Sequence, residues 1–341
     1  MADAAPHRPR YRERVKEPHP APGNAAPAPD PALLAHTDLQ SGHARLRDWA
    51  TEEDRHRRLT AWHADNLELL TSMDIAHVRA DHFALPGLHA EHYLDRWEPA
   101  AQGLHALLSI RFENLDVQRP FVNVSGLSRP WTPADLPALR DAANRAYHPF
   151  RPATLRLTTA LPVDALPGLT PEFRFLTAPL QDLARPDLTL PPELTLRPTT
   201  DDTHLQDARD AYAALDAQHP AHARQAHVID AEQLADTVQA GLMYDVLVRG
   251  EWAGYVGAQP AEEIGLDVLQ VQELLLTPHH RGHGYGPHLG TLFARTVLRD
   301  HPDHAHRHLF GTIHAHNHGA YPAALRAGRH DVGGYTLLPL R

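Results

Sequence analysis

Leu274-Leu-Leu-Thr-Pro-His-His-Arg-Gly-His-Gly-Tyr-Gly-Pro-His-Leu289 is an apolar strand end that runs through a glycine-rich turn into a helix. Such a turn suits an anion. Glycines let the backbone curl around a phosphate so that several N–H groups converge on it, and the positive end of the following helix adds to the attraction. Spacing excludes two nucleotide-binding alternatives. A P-loop needs Gly-x-x-x-x-Gly-Lys-Ser/Thr, and no lysine lies here. The dinucleotide fingerprint Gly-x-Gly-x-x-Gly also fails, because Pro287 follows Gly282 and Gly284 at its third position and Leu289 follows Gly284 and Gly286.

Downstream of the turn, the hydrophobic spacing predicts a helix over 287–299, a strand over 308–314, a short helix over 319–327 and a final strand over 334–339. Upstream it predicts strands over 194–198, 243–249, 252–258 and 268–276, the second and third joined by a tight hairpin at Gly250-Glu251. Two helices fall between the first two strands, one from Asp201-Asp202 through Leu205, Ala208, Tyr212 and Leu215, the other from Ile229 to Val238. Asp201-Asp202 reads as the N-cap of the former.

A seam lies over 185–192, which holds Pro186, Pro191 and Pro192. Before it, helical spacing runs through Leu46, Trp49, Leu59, Trp62, Leu67 and Leu70, and a polar and aromatic stretch reaches about residue 100. Strands follow over 105–113, 121–126, 153–159 and 173–179, with a helix over 132–146 that has Thr132 as N-cap and Pro133 at its first position. The order strand, strand, helix, strand over 105–159 repeats over 252–314, which reads as an internal duplication. Residues 1–31 hold eight prolines and form an extended or disordered arm.

The composition agrees with two domains: 341 residues are enough for two, each with its own core. Cysteine is absent, which excludes disulfides, thiolate metal sites and an acyl-cysteine intermediate. A formal charge of −10 gives no basic nucleic-acid footprint. The N-terminal stretch has no apolar core and no apolar run approaches a membrane span, so the expectation is a cytoplasmic protein without membrane or nucleic-acid partners, monomeric or homodimeric. Twenty-eight histidines stand among 31 prolines and a single lysine, Lys16, so composition already accounts for many of them.

The spacing Arg281-x-x-Gly284-x-Gly286 resembles the pyrophosphate-binding signature Gln/Arg-x-x-Gly-x-Gly/Ala of the GNAT superfamily of N-acetyltransferases, which bind acyl-coenzyme A. The elements around it, including Asn317 before a short helix closed by Gly328, are similar to the second half of that fold, and the first half is a degraded echo of it. The resemblance implies an α/β (α+β) chain of two tandem GNAT-like domains, each a mixed, mostly antiparallel sheet flanked by helices. After the arm, a degenerate domain over 32–188 would precede a catalytic one over 189–341.

Acetyl-coenzyme A would then be the co-substrate. Backbone groups of Leu275, Leu276 and Thr277 would meet the pantetheine arm and the thioester oxygen. Gly282, His283, Gly284, Tyr285 and Gly286, with Arg281 beside them, would hold the pyrophosphate, and Asn317 would contact the pantetheine or hold two splayed strands. Glu273 is the candidate general base for a primary amine of a small molecule or peptide, and His314 a candidate for assisting proton transfer. A tyrosine often follows the Asn by two helical turns in this superfamily and acts as acid; Ala324 stands there, and Tyr321 is the nearest tyrosine.

Two other readings stay open: an acyl-coenzyme A-binding regulatory protein without activity, and a histidine-rich metal-binding protein using the alternating His314, His316 and His318. In the first half, the stretch matching the phosphate turn is 125–135. It has one glycine, two prolines and Asp135, which argues against a cofactor there.

Overall fold

In the computed structural model, which describes residues 29–162, 165–185 and 187–341, two successions of strands and helices build one sheet. The first comprises α1 (Pro31–Ser41), α2 (Leu46–Trp49), α3 (Glu52–Leu67), α4 (Met73–Phe83), β1 (Arg96–Ala101), β2 (Leu104–Phe112), β3 (Pro120–Leu127), α5 (Leu136–Tyr147), β4 (Thr154–Thr159), β5 (Thr170–Pro179) and α6 (Leu180–Ala184). The second comprises β6 (Leu194–Pro198), α7 (Leu205–Gln218), α8 (Ala231–Gln239), β7 (Met243–Val248), β8 (Glu251–Glu263), β9 (Leu266–Leu274), α9 (Gly286–Asp300), β10 (His308–His314), α10 (Ala320–Arg326) and β11 (His330–Pro339). The duplicated order is present as β2-β3-α5-β4 and β8-β9-α9-β10.

The strands are ordered β1-β2-β3-β4-β11-β5-β10-β9-β8-β7-β6. The sheet is mixed and mostly antiparallel, as expected, and the parallel neighbours are β3 with β4 and β9 with β10. It is one sheet rather than two. The final strands of the two halves are exchanged: β11 lies between β4 and β5, and β5 lies between β11 and β10. The seam of prolines therefore separates the halves in sequence but not in hydrogen bonding. Arg295 of α9 holds that linker, donating from Nε to the Ala184 carbonyl at 2.6 Å and from Nη2 to that of Leu188 at 2.8 Å.

The exchange is fastened by buried ion pairs. Arg174 of β5, 2% exposed, reaches Asp331 of β11 with Nη2–Oδ1 at 2.8 Å and Nε–Oδ2 at 3.0 Å. Arg156 of β4 meets Glu172 of β5 at 2.6 Å and lies over the rings of Phe121 and Tyr335. Guanidinium fits both settings because its flat face stacks on an aromatic ring while its edge meets a carboxylate. Apolar packing does the larger work on either side. α5 covers β2–β4 through Leu139, Ala142, Ala143 and Tyr147, and α9 covers β7–β10 through Leu289, Phe293, Ala294 and Val297.

Both parallel pairs are short. β9 and β10 pair only over Val268–Gln270 against His308–Phe310, and β3 and β4 only over Phe121–Asn123 against Thr154–Arg156. Past those points β10 stays on β5 as far as His314, while β9 stays on β8 to its end. The sheet therefore opens into a wedge between β9 and β10.

Some expectations need correction. The stretch to residue 100 contains α4 and β1; α4 leaves Ile75 and Val78 exposed and β1 is a half-buried edge strand with Pro99, so neither carries a strong periodic signal. The hairpin turn is Arg249-Gly250, with φ of 54° and 83°, one residue before the expected Gly250-Glu251, since a two-residue turn of this hand needs positive φ at both positions. Asp201 makes a local turn with the Thr203 N–H, and α7 begins after His204 instead. Residues 1–28 of the expected arm lie outside the described residues, and Pro31 already opens α1 behind an Asp30 cap. Among the described residues no helix is long and apolar enough to cross a membrane.

Because β10 and β11 depend on β5 and β4 for their partners, residues 189–341 expressed alone are expected to be insoluble or largely unfolded by circular dichroism. Co-expression with residues 29–188 is expected to restore them, and the full chain should melt in one transition. A folded, soluble second half would contradict the exchange.

Candidate active site

Glu273 owes its position to a break in the strand. On β8, Gly257 pairs with Glu273 but the next residue, Ala258, pairs with Val271, so Gln272 bulges. Leu269 and Val271 face the α9 side, with Leu289 and Phe293. Simple alternation would send Glu273 the same way; the bulge turns it to the other face, where Tyr212 of α7 and Ile229 before α8 lie. There it is 3% exposed and accepts three hydrogen bonds, from Tyr212 Oη at 2.8 Å, the Ile229 N–H at 3.1 Å and the Leu274 N–H at 3.0 Å.

Burial pushes the Glu273 carboxyl above the usual carboxylate range, and the three donors only partly offset it. Tyr212 is raised well above its ordinary value, by burial first and by the adjacent carboxylate second. Three bonds leave a carboxylate with about one free acceptor position. Glu273 is thus a held carboxyl with room for one more proton or donor.

Beyond β9 the backbone keeps alternating. The Leu275 N–H goes to the Tyr255 carbonyl and the Thr277 N–H to that of Ala253, both at 2.8 Å on β8. Of the three expected donors, only the Leu276 N–H is left without an acceptor among the described residues, turned away from β8. The Leu276 carbonyl receives Nε of Arg281 at 2.6 Å. Arg281 therefore reaches back to the strand end instead of lying along the turn, and burial lowers its pKa.

In the turn, Gly282 and Gly284 have φ of 80° and 83°, and a Cβ on either would meet open space. Their requirement is conformational, not steric. Gly286 is the first residue of α9 with ordinary φ, and a Cβ there would touch Ala323 Cβ at 3.7 Å. From Gly282 to Gly286, five successive N–H groups have no acceptor among the described residues. Tyr285 is fixed from outside, its hydroxyl donating to Glu193 at 3.0 Å. The pattern fits a multi-oxygen anion held by backbone.

Gly286 at the end of the turn, the wedge and Glu273 border one cleft, also lined by Tyr212, His227, Thr312, Asn317 and Arg329. Asn317 accepts the Ala320 N–H at 2.9 Å and so caps α10 at the edge of the cleft. The other two expected catalytic residues are not on it. Tyr321 gives its hydroxyl proton to Asp331 at 2.7 Å, in the Arg174 ion pair, and that carboxylate contributes, after burial, to raising it to about 12. His314 is turned against Phe173 and accepts the His316 N–H at Nδ1. Neither lines the space where a base or acid would act. Among the described residues, no three His, Cys, Asp or Glu side chains are grouped to hold a metal.

Tyr212, His227 and Arg329 were missed from the sequence. Tyr212 sits at a core-spaced position of a helix, and nothing local marks it. His227 was one histidine among many; burial holds its pKa below the ordinary value, favouring the neutral ring.

In the first half the turn before α5 is closed from within. Asp135 fills its own turn, accepting the Thr132 N–H at 2.8 Å and both Nη atoms of Arg129 at 2.9 and 3.0 Å. Trp131 donates to the Thr158 carbonyl of β4, beyond the point where β3 leaves that strand. An internal carboxylate and an indole thus occupy what the second half leaves open.

No family model matches the sequence, and neither does any curated protein. Among the solved structures it matches are several described as GNAT or GCN5-related N-acetyltransferases. One, a GCN5-related N-acetyltransferase from Sphaerobacter thermophilus, is 16% identical over 92% of this chain and 95% of its own, with a TM-score of 0.49. Another of that description, from Kribbella flavida, is 15% identical over 79% and 95%, at 0.42. A tandem GNAT protein from the clavulanic acid biosynthesis pathway is 16% identical over 79% and 94%, at 0.40.

A side chain at Gly284 adds about 1–2 kcal/mol of left-handed strain and disturbs the donor array. Gly284→Val is expected to weaken coenzyme A binding, read by calorimetry, about tenfold or more, and Gly286→Ala to change it little. Equal affinity in the wild type and Gly284→Val would refute the assignment of the turn.

Proposed function

We propose that the chain is an N-acetyltransferase that moves an acetyl group from acetyl-coenzyme A directly to a primary amine of a small molecule or peptide. The observation that carries this reading is the run of five N–H groups from Gly282 to Gly286 without an acceptor among the described residues, which ends at Gly286 on the cleft that also holds the buried carboxyl of Glu273. The backbone of that turn suits a pyrophosphate, and the acyl thioester would supply an activated carbonyl.

The residues then divide the work. Glu273, with its one free acceptor position, takes the proton lost by the amine nitrogen as the C–N bond forms. Its raised pKa brings it toward the working pH of a general base. The Leu276 N–H donates to the carbonyl oxygen as that oxygen gains negative charge. Tyr212 and the Ile229 N–H keep the carboxylate from rotating out of line. When the C–S bond breaks, water is the proton source for the thiolate, because the hydroxyl of Tyr321 is committed to Asp331.

Thiol release from acetyl-coenzyme A across a panel of primary amines tests the reading; tight coenzyme A binding with no thiol release from any amine would favour the regulatory alternative. With an accepted amine, Glu273→Gln is expected to lower kcat by about 10²–10⁴-fold. Tyr212→Phe removes a hydrogen bond that favours the ionised carboxylate, so the Glu273 pKa rises further. The acidic limb of the kcat/KM profile is therefore expected to move to higher pH, and a limb that stays in place would remove Glu273 from the base role.

A further inference from the structure

Where β9 and β10 part, the cleft contains a charge that nothing answers. Arg329 follows the glycine that ends α10, is 5% exposed, and lines the cleft. Its Nε is buried with no acceptor, and no hydrogen bond or ion pair to its side chain occurs among the described residues. Burial alone lowers its pKa, to about 10, and no carboxylate adds a compensating effect. The other deeply buried arginines of the sheet, Arg156 and Arg174, each hold a carboxylate. A buried guanidinium without a partner is costly, so a ligand that supplies the partner is favoured there.

Its position is specific. Nη1 lies so close over Gly311 of β10 that a Cβ there would be 3.0 Å away, and that same Cβ would touch Val271 of β9 at 3.5 Å. Gly311 and Val271 are the residues just past the last parallel pair, Phe310 with Gln270. The guanidinium thus sits at the apex of the wedge. Glu273 lies two residues further along β9, about 7 Å of strand. The helices on the Arg329 side present only small residues, Gly286, Gly290, Ala320, Ala323, Ala324 and Ala327, to the cleft, which leaves room beside the charge.

We propose that Arg329 is a carboxylate-recognition residue at the apex of this cleft, answering a carboxylate carried by one of the reacting molecules. This rests on the acyl-transfer reading and narrows its substrates. The carboxylate belongs either to the far end of a short dicarboxylic acyl group or to the acceptor amine. A bidentate guanidinium–carboxylate pair forms in both cases.

Calorimetry with the full chain separates the sources, using coenzyme A, butyryl-coenzyme A, succinyl-coenzyme A, and free succinate and glutamate as probes. If the acyl group carries the carboxylate, succinyl-coenzyme A binds at least tenfold tighter than butyryl-coenzyme A, and the ratio falls to about one in Arg329→Met. If the acceptor carries it, the two thioesters bind alike, while succinate or glutamate binds the wild type and not Arg329→Met.

Gly311→Ala, which sets a methyl against Nη1, is expected to blunt the same preference while leaving coenzyme A binding intact. Two results would overturn the proposal: no preference for any carboxylate probe over its neutral counterpart, or a preference that survives Arg329→Met. An equal loss of affinity for coenzyme A itself in Arg329→Met would also overturn it, by making Arg329 a phosphate contact. Failure of coenzyme A to bind the wild type would remove the acyl-transfer reading instead, and the free dicarboxylates would still decide Arg329.

Discussion

The functional geometry depends on how few hydrogen bonds join β9 to β10. The two strands share only three residue pairs before they diverge, and divergence needs each to be held elsewhere. β8 holds β9, and β5 holds β10 along seven residues. A strand from the first half therefore keeps the second half's wedge open. Into that opening the bulge at Gln272 turns Glu273, the end of β9 presents Leu274, and the turn into α9 brings Gly286. Arg329, at the start of β11, comes from the other exchanged strand. The cleft is a property of the whole sheet.

The two halves show what the same arrangement does with and without a ligand to accommodate. In the first, Asp135 accepts the Thr132 N–H and the Arg129 guanidinium in the turn before α5 and Trp131 covers a β4 carbonyl, so these polar groups are answered internally. In the second the corresponding groups are left unanswered, at a cost in stability that is sensible only if something else meets them. Arg329 extends that contrast from neutral donors to a full charge.

Much of this was legible in the sequence. β10 was read residue for residue, because an apolar run of strand length was bounded on both sides by polar turns. The duplicated strand-strand-helix-strand order was visible, as was the glycine-rich turn before α9, since glycine spacing reports backbone conformation directly. Glu273 was found because it stands beside that turn. Its neighbours were harder. Tyr212 lies on a helix whose spacing reads as ordinary packing, and its meeting with Glu273 needs a bulge that no residue pattern announces. Tyr321 and His314 were singled out by proximity in the chain, but Tyr321 on α10 meets Asp331 of β11 and the pairing of β10 with β5 sets His314 against Phe173. Arg329 looks solvated in sequence because a charged residue after a helix-ending glycine normally is. The exchange of β5 and β11 was invisible, because element order does not say which strands will pair across a linker.

The exchange also has a consequence for biosynthesis. β11 spans residues 330–339 and is inserted between two strands made some 160 residues earlier. Until it emerges from the ribosome, β4 and β5 each present an unpaired interior edge, and Arg156, Arg174 and Glu172 have not been sealed in. Such edges invite pairing with other chains. The nascent protein must therefore wait for β11 to close the sheet, and the interval before closure is when it is most exposed to aggregation and most dependent on chaperones.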